Sequence, residues 1–525
     1  MIGLAVALLL AVIPGTIILR DILEGHDTPG VVATLPLHAV EAAADDRAGQ
    51  VVVAGGDTAW GSHGTVSVLD AGGSALLRAA PVRGAIAASI EFGPSSLLAL
   101  APADRRAYVS STVTAHNGAI AAGFISIVDT GAGTVVRTIA SPAQTLPLAL
   151  ADDERAGRLF VVDGANATLT SDGNKGRVVV LDARSGVLIA DALVDRGPQA
   201  VAVDERLGRA FVTSRSVDRN GVWHGPSRLS MLDSSNGRVL HTVAIPPVVT
   251  GGMAVDATTD RVFVLVNSIP VQTPYSGRVA TIDARTGAMI GMATVGSWPR
   301  DMIVATVPTG RHGATAERVF VLNAGYPPAS SGVSVLDGRT GALVRTVLFP
   351  GATSATAMAV DPRNGHVFVA TGSRDNHGNN VAPGGIVMLD GYGGRVLRAV
   401  SLGANPSALA VDERRGRVFV AVIGDSDFGR PYYPPKGPGS VTVLDAHSGN
   451  ALRTVTVGVN PFELVVAAPA GRVFVLDSGD TIGGRAADGW AWLPSWLRQR
   501  IPFLPPPGNT DRVVPPDVEV LDATR

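Results

Sequence analysis

Four histidines in separate polar segments are the residues of this chain best suited to chemistry near neutral pH. They are His63, His116, His224 and His377, and their segments are rich in Gly, Asn, Asp, Ser and Pro. Imidazole has an unperturbed pKa of about 6.5 and is a common ligand of transition metals. If the four segments converge, these side chains form a metal site; if they do not, they are ordinary exposed loop histidines.

Acidic and amide side chains in and beside these segments offer oxygen ligands, which calcium prefers. The candidates are Asp163, Asp172, Asn174, Asp375, Asn376, Asn379, Asp425 and Asp427. No stretch matches the D-x-[DN]-x-[DN]-G calcium loop. Turn formation, which Asp and Asn favour by accepting hydrogen bonds from the backbone two residues on, is therefore the preferred interpretation.

Several classes of chemistry are excluded or unsupported by residue types alone. The chain has no cysteine among its 525 residues. This excludes disulfides, thiolate metal sites, a cysteine nucleophile and haem attached through C-x-x-C-H. No glycine cluster opens a helix to bind phosphate, and no G-x-S-x-G motif occurs in a strand-to-helix context.

One long segment, Gly479 to Pro516, holds three of the six tryptophans. Its candidate contact residues are Trp490, Trp492, Trp496, Arg498 and Arg500. Positions 492, 496 and 500 have a helical spacing of four. Three interpretations remain open: a helical cap packed on the domain, an interfacial membrane contact, and an anchor for a protein partner.

The elements that must position these residues form a repeat of about 50 residues. Each unit contains a short apolar run, a polar turn, a Val-Phe-Val-like strand, a variable loop, a Val-rich strand ending in Leu-Asp, a second turn and an alternating fourth strand. Four strand signals per unit predict a β-propeller. An Asp found in every unit is a turn cap rather than a catalytic acid. It recurs nine times, at Asp70, Asp129, Asp182, Asp233, Asp283, Asp337, Asp390, Asp445 and Asp522.

The two ends of the repeat array predict how the ring closes. The last unit stops at Val518–Asp522 without a fourth strand, and Val31–Leu35 resembles the missing one. We therefore expect the N-terminal strand to complete the last blade, which removes exposed sheet edges. The predicted fold is all-β: a single closed propeller of nine four-stranded blades (eight if the weakest unit lies outside the ring), preceded by one N-terminal hydrophobic helix.

Two stretches resemble the signature strand of a known repeat family. Phe320-Val321-Leu322-Asn323 and Tyr108-Val109-Ser110-Ser111 are similar to the YVTN motif, and the V-x-V-L-D-x-x-T-G and V-R-T-V strands resemble the rest of that repeat. The resemblance covers nearly the whole chain from Val31 to Asp522. It implies a YVTN-type β-propeller, similar to bacterial periplasmic and archaeal surface-layer propeller proteins. These motif residues are structural, so the resemblance implies a fold and is nearly silent on chemistry.

An apolar segment, Ile2 to Leu19, precedes the repeats. Eighteen residues lie at the short end of a transmembrane helix. No Lys or Arg precedes the segment and no clear cleavage site follows it. An uncleaved membrane anchor is the first interpretation, a signal peptide the second and a buried element the third. The expected domains are an anchor or signal segment at 1–24 and a propeller at 25–525, with an insertion at 479–516, located outside the cytoplasm.

Composition narrows the expected partners. Net charge is −2 and no long basic run occurs, which disfavours nucleic acid because its binding requires neutralisation of phosphates. Without a unique catalytic set, we expect a non-catalytic binding or scaffold propeller for a protein or cell-surface ligand, membrane-anchored or secreted, with no cofactor. The alternatives are an enzyme of lyase or hydrolase type and a redox propeller using a metal or quinone, with its site in the loops on the channel face.

Overall fold

The computed structural model describes most of the propeller region. The described residues are 31–56, 63–72, 75–86, 97–114, 120–141, 145–165, 175–215, 226–246, 248–267, 277–311, 313–325, 330–349, 354–374, 380–402, 406–424, 437–482, 512–514 and 516–524. The expected N-terminal helix at the start of the chain lies outside them. Among the described residues, no helix is long and apolar enough to cross a membrane.

The described residues form strands joined by turns, connections and loops. Their bounds are β1 (Val31–Leu35), β2 (His38–Asp45), β3 (Gln50–Gly56), β4 (His63–Asp70), β5 (Leu76–Arg83), β6 (Leu98–Ala101), β7 (Arg106–Thr114), β8 (Ile120–Asp129), β9 (Thr134–Ala140), β10 (Thr145–Asp153), β11 (Arg158–Ala165), β12 (Lys175–Asp182), β13 (Leu188–Asp195), β14 (Pro198–Asp204), β15 (Arg209–Ser214), β16 (Ser227–Asp233), β17 (Val239–Ile245), β18 (Val248–Asp256), β19 (Arg261–Asn267), β20 (Gly277–Asp283), β21 (Met289–Thr294), β22 (Pro299–Pro308), β23 (Thr315–Asn323), β24 (Gly332–Asp337), β25 (Leu343–Leu348), β26 (Ser354–Asp361), β27 (His366–Arg374), β28 (Asn380–Asp390), β29 (Val396–Ser401), β30 (Pro406–Asp412), β31 (Arg417–Val422), β32 (Ser440–Asp445), β33 (Ala451–Thr456), β34 (Pro461–Ala467), β35 (Arg472–Asp477), β36 (Asp480–Ile482), β37 (Arg512–Val514) and β38 (Val518–Asp522).

These strands make nine four-stranded antiparallel sheets, the blades, which we number one to nine from β2 onward. Eight blades use four consecutive strands, from β2-β3-β4-β5 to β30-β31-β32-β33. The first strands (β2, β6, β10, β14, β18, β22, β26, β30 and β34) contact one another in turn, and β34 contacts β2. The predicted nine-bladed closed ring is therefore confirmed.

The second strand of each blade supplies the core. Its central side chains are fully buried because both faces of the sheet pack against neighbouring blades. Eight of them are aromatic: Tyr108, Phe160, Phe211, Phe263, Phe320, Phe368, Phe419 and Phe474. Each fully buried aromatic contributes about 1.5–3 kcal/mol relative to exposure. Because clusters such as that of Phe320 with Val367 and Leu389 span two blades, this burial joins the blades as well as stabilising each one.

The repeated Asp is a turn cap, as its recurrence predicts. In blade eight, Asp445 Oδ1 accepts hydrogen bonds from the N–H groups of His447 and Ser448, at 3.2 and 2.8 Å. These bonds, with that of Ser448 first, hold the pKa of Asp445 below its ordinary value. Its other oxygen lies 3.2 Å from Arg417, the first residue of the neighbouring strand. The arginine that follows the turn glycine is thus a strand residue paired with the capping Asp. The same pairing occurs at Arg158–Asp182, Arg209–Asp233 and Arg472–Asp522.

Arginines also join neighbouring blades through the same turns. Arg398, on the outer strand of blade seven, donates to the Ser448 carbonyl of blade eight at 3.3 Å. Gly449 has a φ of 69°, and a Cβ there would lie 3.0 Å from Arg398 Cδ and 2.9 Å from Met388 Sδ. The glycine is thus needed for its backbone conformation and for the close approach of the preceding blade. Arg137 makes the corresponding bond to Ser185 at 3.0 Å.

The N-terminal strand closes the ring, as predicted. β1 pairs with β38 as the fourth strand of blade nine, giving the order β1-β38-β35-β34. Val31 lies opposite Leu521, and Leu35 lies opposite Val518. The two ends of the chain therefore share one sheet, and without β1 the edge of β38 would be exposed.

Removing residues 1–36 is expected to destabilise the ring more than removing residues 1–30. The longer truncation deletes β1 with its ladder hydrogen bonds and the contacts of Ala33 and Leu35 with the core, at a cost on the order of 3 kcal/mol or more. Chemical denaturation midpoints and sedimentation would measure stability and edge-driven association. Equal midpoints for the two truncations would contradict the role of β1 as the closing strand.

Replacing Gly449 by Ala is expected to cost about 1 kcal/mol more than replacing Gly157 by Ala. Both glycines have positive φ, but a Cβ at Gly157 meets no atom within 4 Å. The shared strain of a left-handed residue cancels in the comparison. What remains is the collision with Arg398 and Met388. Denaturation midpoints that fall equally for both variants would show that the contact between blades is not required.

Candidate binding face in the propeller

The propeller has two unlike faces, which follow from its strand order. On the turn face, short turns join the first strand of each blade to the second, as at 413–416, and in blades one to eight the third strand to the fourth, as at 446–450. On the loop face, variable loops join the second and third strands, and connections such as 457–460 run to the next blade. The chemistry-bearing segments of the sequence therefore attach to one face only.

Buried polar residues at the ends of the second strands hold the connections on the loop face. Ser111 Oγ donates to the Arg83 carbonyl at 2.6 Å. Ser141 Oγ donates to Asp163 at 3.3 Å, and Asp163 is fully buried. Because a buried polar group must find a partner, these contacts fix where each connection enters the next blade.

Asn323 shows the geometry of this position in blade six. Its Nδ2 donates to Ser334 Oγ at 3.0 Å, and the N–H of Gly296 donates to the same oxygen at 3.2 Å. A Cβ on Gly296 would lie 2.6 Å from Asn323 Cγ. The connection can therefore approach the side chain only as glycine. The Asn of the YVTN-like motif positions the backbone and is not available for binding.

Two glutamates cap the inner edges of the first strands at the seam of the ring, where blade nine, which is closed by β1, meets blade one. Glu41 Oε2 accepts hydrogen bonds from the N–H groups of Leu97 and Leu98 in the next blade, at 2.8 and 3.2 Å. Glu463 accepts one from Ala42 N–H. The first strand has no ladder partner on its channel side, so these carboxyl groups satisfy backbone donors that would otherwise be orphaned.

The pKa of Glu463 is raised well above its ordinary value. Its pKa is about 8. Burial is the largest cause of the increase, the nearby carboxyl of Glu41 adds to it, and the hydrogen bond from Ala42 N–H opposes it. The corresponding position, after the bulge in the first strand, holds Ala200 in blade four and Ala408 in blade eight. The same position holds Glu41 in blade one and Asp301 in blade six, so acids recur there without being required in every blade. Its raised pKa is what marks Glu463 as a candidate for function.

Blades three and four carry basic residues on the same face. Arg228 lies 2.5 Å from Asp195, and Arg177 lies 2.9 Å from Asp191. Burial lowers the pKa of Arg215 to about 10, yet a guanidinium with that pKa remains charged at neutral pH. The cations at Arg228 and Arg177 are therefore paired with acids of the neighbouring blade and the neighbouring strand, respectively.

Only one of the four histidines of the predicted metal site lies among the described residues. His63 is exposed at the start of β4 and lies opposite Arg83. His116, His224 and His377 lie outside the described residues, so their convergence stays a prediction. Among the residues that the structure describes, no three His, Asp or Glu side chains are arranged to hold a metal ion.

The acidic candidates divide in the same way. Asp163 is a fully buried strand residue, which corrects its interpretation as a turn former: the strand continues to Ala165, so its side chain is packed under the connection. The other seven candidates lie outside the described residues. Sequence reasoning missed Glu41, Glu463, Asp477 and Glu519, whose signal was a single acid within an apolar run such as Pro-Phe-Glu-Leu-Val-Val.

The tryptophan-rich insertion begins on the loop face. β36 and β37 pair as a two-stranded stem, with Asp480 opposite Val514. Trp490, Trp492, Trp496, Arg498 and Arg500 lie outside the described residues, so none of the three interpretations is tested. Val31 lies opposite Leu521, at the other end of the same sheet from Leu35 and Val518. The chain therefore enters β1 from the turn face, opposite to the insertion.

Comparisons with known proteins find this fold in many solved structures. NirN, a dihydro-haem d1 dehydrogenase, matches at 14% identity and a TM-score of 0.51, over 82% of this chain and 78% of its own. A eukaryotic initiation factor matches at 13% and 0.51, over 82% and 91%. BamB from Moraxella catarrhalis matches at 14% and 0.40, over 73% and 96%.

At these identities the likenesses to NirN and to the initiation factor show a shared fold alone and nothing about activity. No protein-family model and no curated protein matches this chain.

Glu463→Gln is expected to stabilise the protein at pH 8.5 and to leave it nearly unchanged at pH 4. The carboxyl ionises near pH 4.5 when unfolded and near pH 8 when folded, so its stabilising contribution is present below about 4.5 and is lost as the pH rises to about 8. Gln keeps an acceptor for Ala42 N–H without the charge. The gain is on the order of 1–3 kcal/mol, measured by denaturation at both pH values. A gain of equal size at both would contradict the assignment.

Proposed function

We propose that this chain is a non-catalytic binding or scaffold propeller of the YVTN type that acts outside the cytoplasm. The observation that carries the proposal is the difference between the two faces of the ring. The turn face repeats the same residue types from blade to blade, whereas the segments on the loop face differ between blades. Repeated Asp, Arg and Gly residues are used to cap turns and join blades, as at Asp445, Arg398 and Gly449. Every variable segment between second and third strands attaches to the loop face.

A rigid ring that displays variable loops on one face suits recognition of a macromolecule. The closed ring fixes the ends of the loops, so ordering them on binding costs less conformational entropy than it would on a mobile support. The partner class that we propose is a protein or another cell-surface ligand.

The proposed location follows from the apolar segment, Ile2 to Leu19, which is long enough for a membrane anchor or a signal segment. Because the chain enters β1 from the turn face, an anchor would direct that face toward the bilayer. The loop face, with the insertion, would then be presented away from it. A partner contact by the insertion fits this arrangement better than a membrane contact beside the anchor.

A second candidate function, an acid–base enzyme, is favoured by one observation. Glu463 is half-buried beside Glu41 and its pKa is raised to about 8, so it keeps a proton at neutral pH and such a carboxyl can act as a general acid. In that case Glu463→Gln would abolish turnover. In a binding propeller the same variant would retain its partner.

Photo-crosslinking in the native cell envelope is expected to distinguish the two faces. A photoreactive amino acid would replace Lys175 or Arg300, which are exposed on the loop face, or Ser235 or Arg339, which are exposed on the turn face. We expect adducts of discrete mass from the first pair and none of the same mass from the second. Adducts from the turn face alone, or equal adducts from both faces, would refute a loop-face partner.

A further inference from the structure

Three carboxyl groups meet in blade nine, where the two ends of the chain close the ring. Asp477 ends β35, Asp517 precedes β38, and Glu519 lies within β38. Asp477 is fully buried and Glu519 is 8% exposed. This cluster lies on the loop-face side of the sheet and belongs to no feature of the proposed binding function.

The contacts of the cluster hold two segments against β35. Asp477 Oδ1 accepts from the N–H groups of Gly479 and Asp517, both at 3.4 Å, and the N–H of Asp477 donates to the Asp517 carbonyl at 3.2 Å. Glu519 Oε2 accepts from Gly458 N–H at 3.0 Å. A Cβ on Gly458 would collide with the Asp477 carboxyl. The cluster therefore anchors both β38 and the connection from blade eight.

One oxygen of Asp477 has no donor. Its Oδ2 is buried and meets no hydrogen-bond donor among the described residues. The polar group beside it is the side chain of Asp517, which is also an acceptor unless one of the two carboxyl groups carries a proton. A shared proton converts this repulsive contact into a hydrogen bond.

Blade six provides a neutral version of the same arrangement. Asn323 occupies the place of Asp477, and Ser334 occupies that of Glu519, since Val321 pairs with Ser334 as Val475 pairs with Glu519. Ser334 Oγ accepts from Gly296 N–H at 3.2 Å, as Glu519 does from Gly458. The connection thus needs an acceptor but not a charge. Acids at this place in blade nine add a dependence on protonation that the fold does not require.

We propose that blade nine is closed by a proton-dependent clamp, in which Asp477 and Asp517 share a proton and its loss loosens β38 and the N-terminal strand β1 that β38 holds. The other blades lack this device in the described residues, because their corresponding positions are neutral or, at Asp163, bonded to Ser141. The ring would open at its seam while the remaining blades stay folded. Such an opening would couple the N-terminal segment to the pH outside the cell membrane.

The charged surroundings support retention of a proton. Burial first, and then Asp517 and Glu519, raise the pKa of Asp477 far above its ordinary value. Burial, and then Asp517, raise that of Glu519 to about 8. On β34 the nearest acid is Glu463, whose carboxyl bonds Ala42 instead. β1 and the connection 457–460 carry no charged residue.

The sign of the effect follows from these pKa shifts. In the unfolded chain the carboxyl groups ionise near pH 4, whereas in the closed blade they hold their protons to a higher pH. The clamp is therefore fully stabilising in acid and weakens as the pH rises through neutrality to alkaline values. A salt-bridged Asp would show the opposite dependence.

Hydrogen exchange of the full-length protein at pH 6 and pH 9 tests the clamp. The readout is the protection factor of a peptide covering β1, divided by that of a peptide covering β23 in blade six, each corrected for intrinsic exchange. We expect this ratio to fall by about tenfold or more between pH 6 and pH 9, one pKa unit being a factor of ten. A ratio that does not change with pH would overturn the proposal.

Two variants make the test specific. Asp477→Asn combined with Glu519→Ser installs the residues of blade six, and we expect it to abolish the change in the ratio. Glu463→Gln, which removes the other raised acid near the seam, is expected to leave the change intact. If the double variant fails to fold, Asp477→Asn alone should reduce the change. A ratio that still falls tenfold in the variant that folds would assign the pH effect to another group and refute the clamp.

Discussion

The pairing of β1 with β38 is the contact on which the closed ring depends. Eight blades are made from consecutive strands and can form locally, whereas blade nine requires strands from both ends of the chain. Loop closure over such a distance has a large entropic cost, which the ladder and the contacts between neighbouring blades must offset. The stability of the closed ring therefore depends on this pairing, and a residue that stabilises the pairing affects every blade.

Polar residues carry much of the specificity of this all-β core. The buried second strands would pack against any similar strand, because Val and Phe contacts are not directional. Direction comes from Asp caps, from arginines such as Arg398 that reach the next blade, and from buried groups such as Asn323 that receive each connection. Each needs one partner at one distance, so together they fix the order and spacing of the blades.

The carboxyl groups of blades nine and one differ from these structural polar residues. Glu41, which is half-buried, accepts hydrogen bonds from backbone donors of the next blade. Glu463, Asp477 and Glu519 also accept backbone hydrogen bonds, and their pKa values are raised. Uncharged residues serve at the corresponding positions of other blades, as Ala408, Asn323 and Ser334 do. Carboxyl groups that cost stability when ionised persist where they add a property that the fold alone does not need, either chemistry or sensitivity to pH.

The amino-acid sequence determined the blade number, the strand order and the closing strand, because each unit repeats local signals: Leu-Asp turns, glycine after the turn and Val-Phe-Val strands. It also identified the repeated Asp as structural, since a cap is needed once per blade. Only the tertiary structure decided which unrelated residues meet. Arg398 and Gly449 lie on neighbouring blades. Gly458 lies in the connection that passes Asp477, and Glu463 of blade nine meets Glu41 of blade one. No local pattern encodes such pairs, because their distances depend on how nine separate sheets pack around one axis.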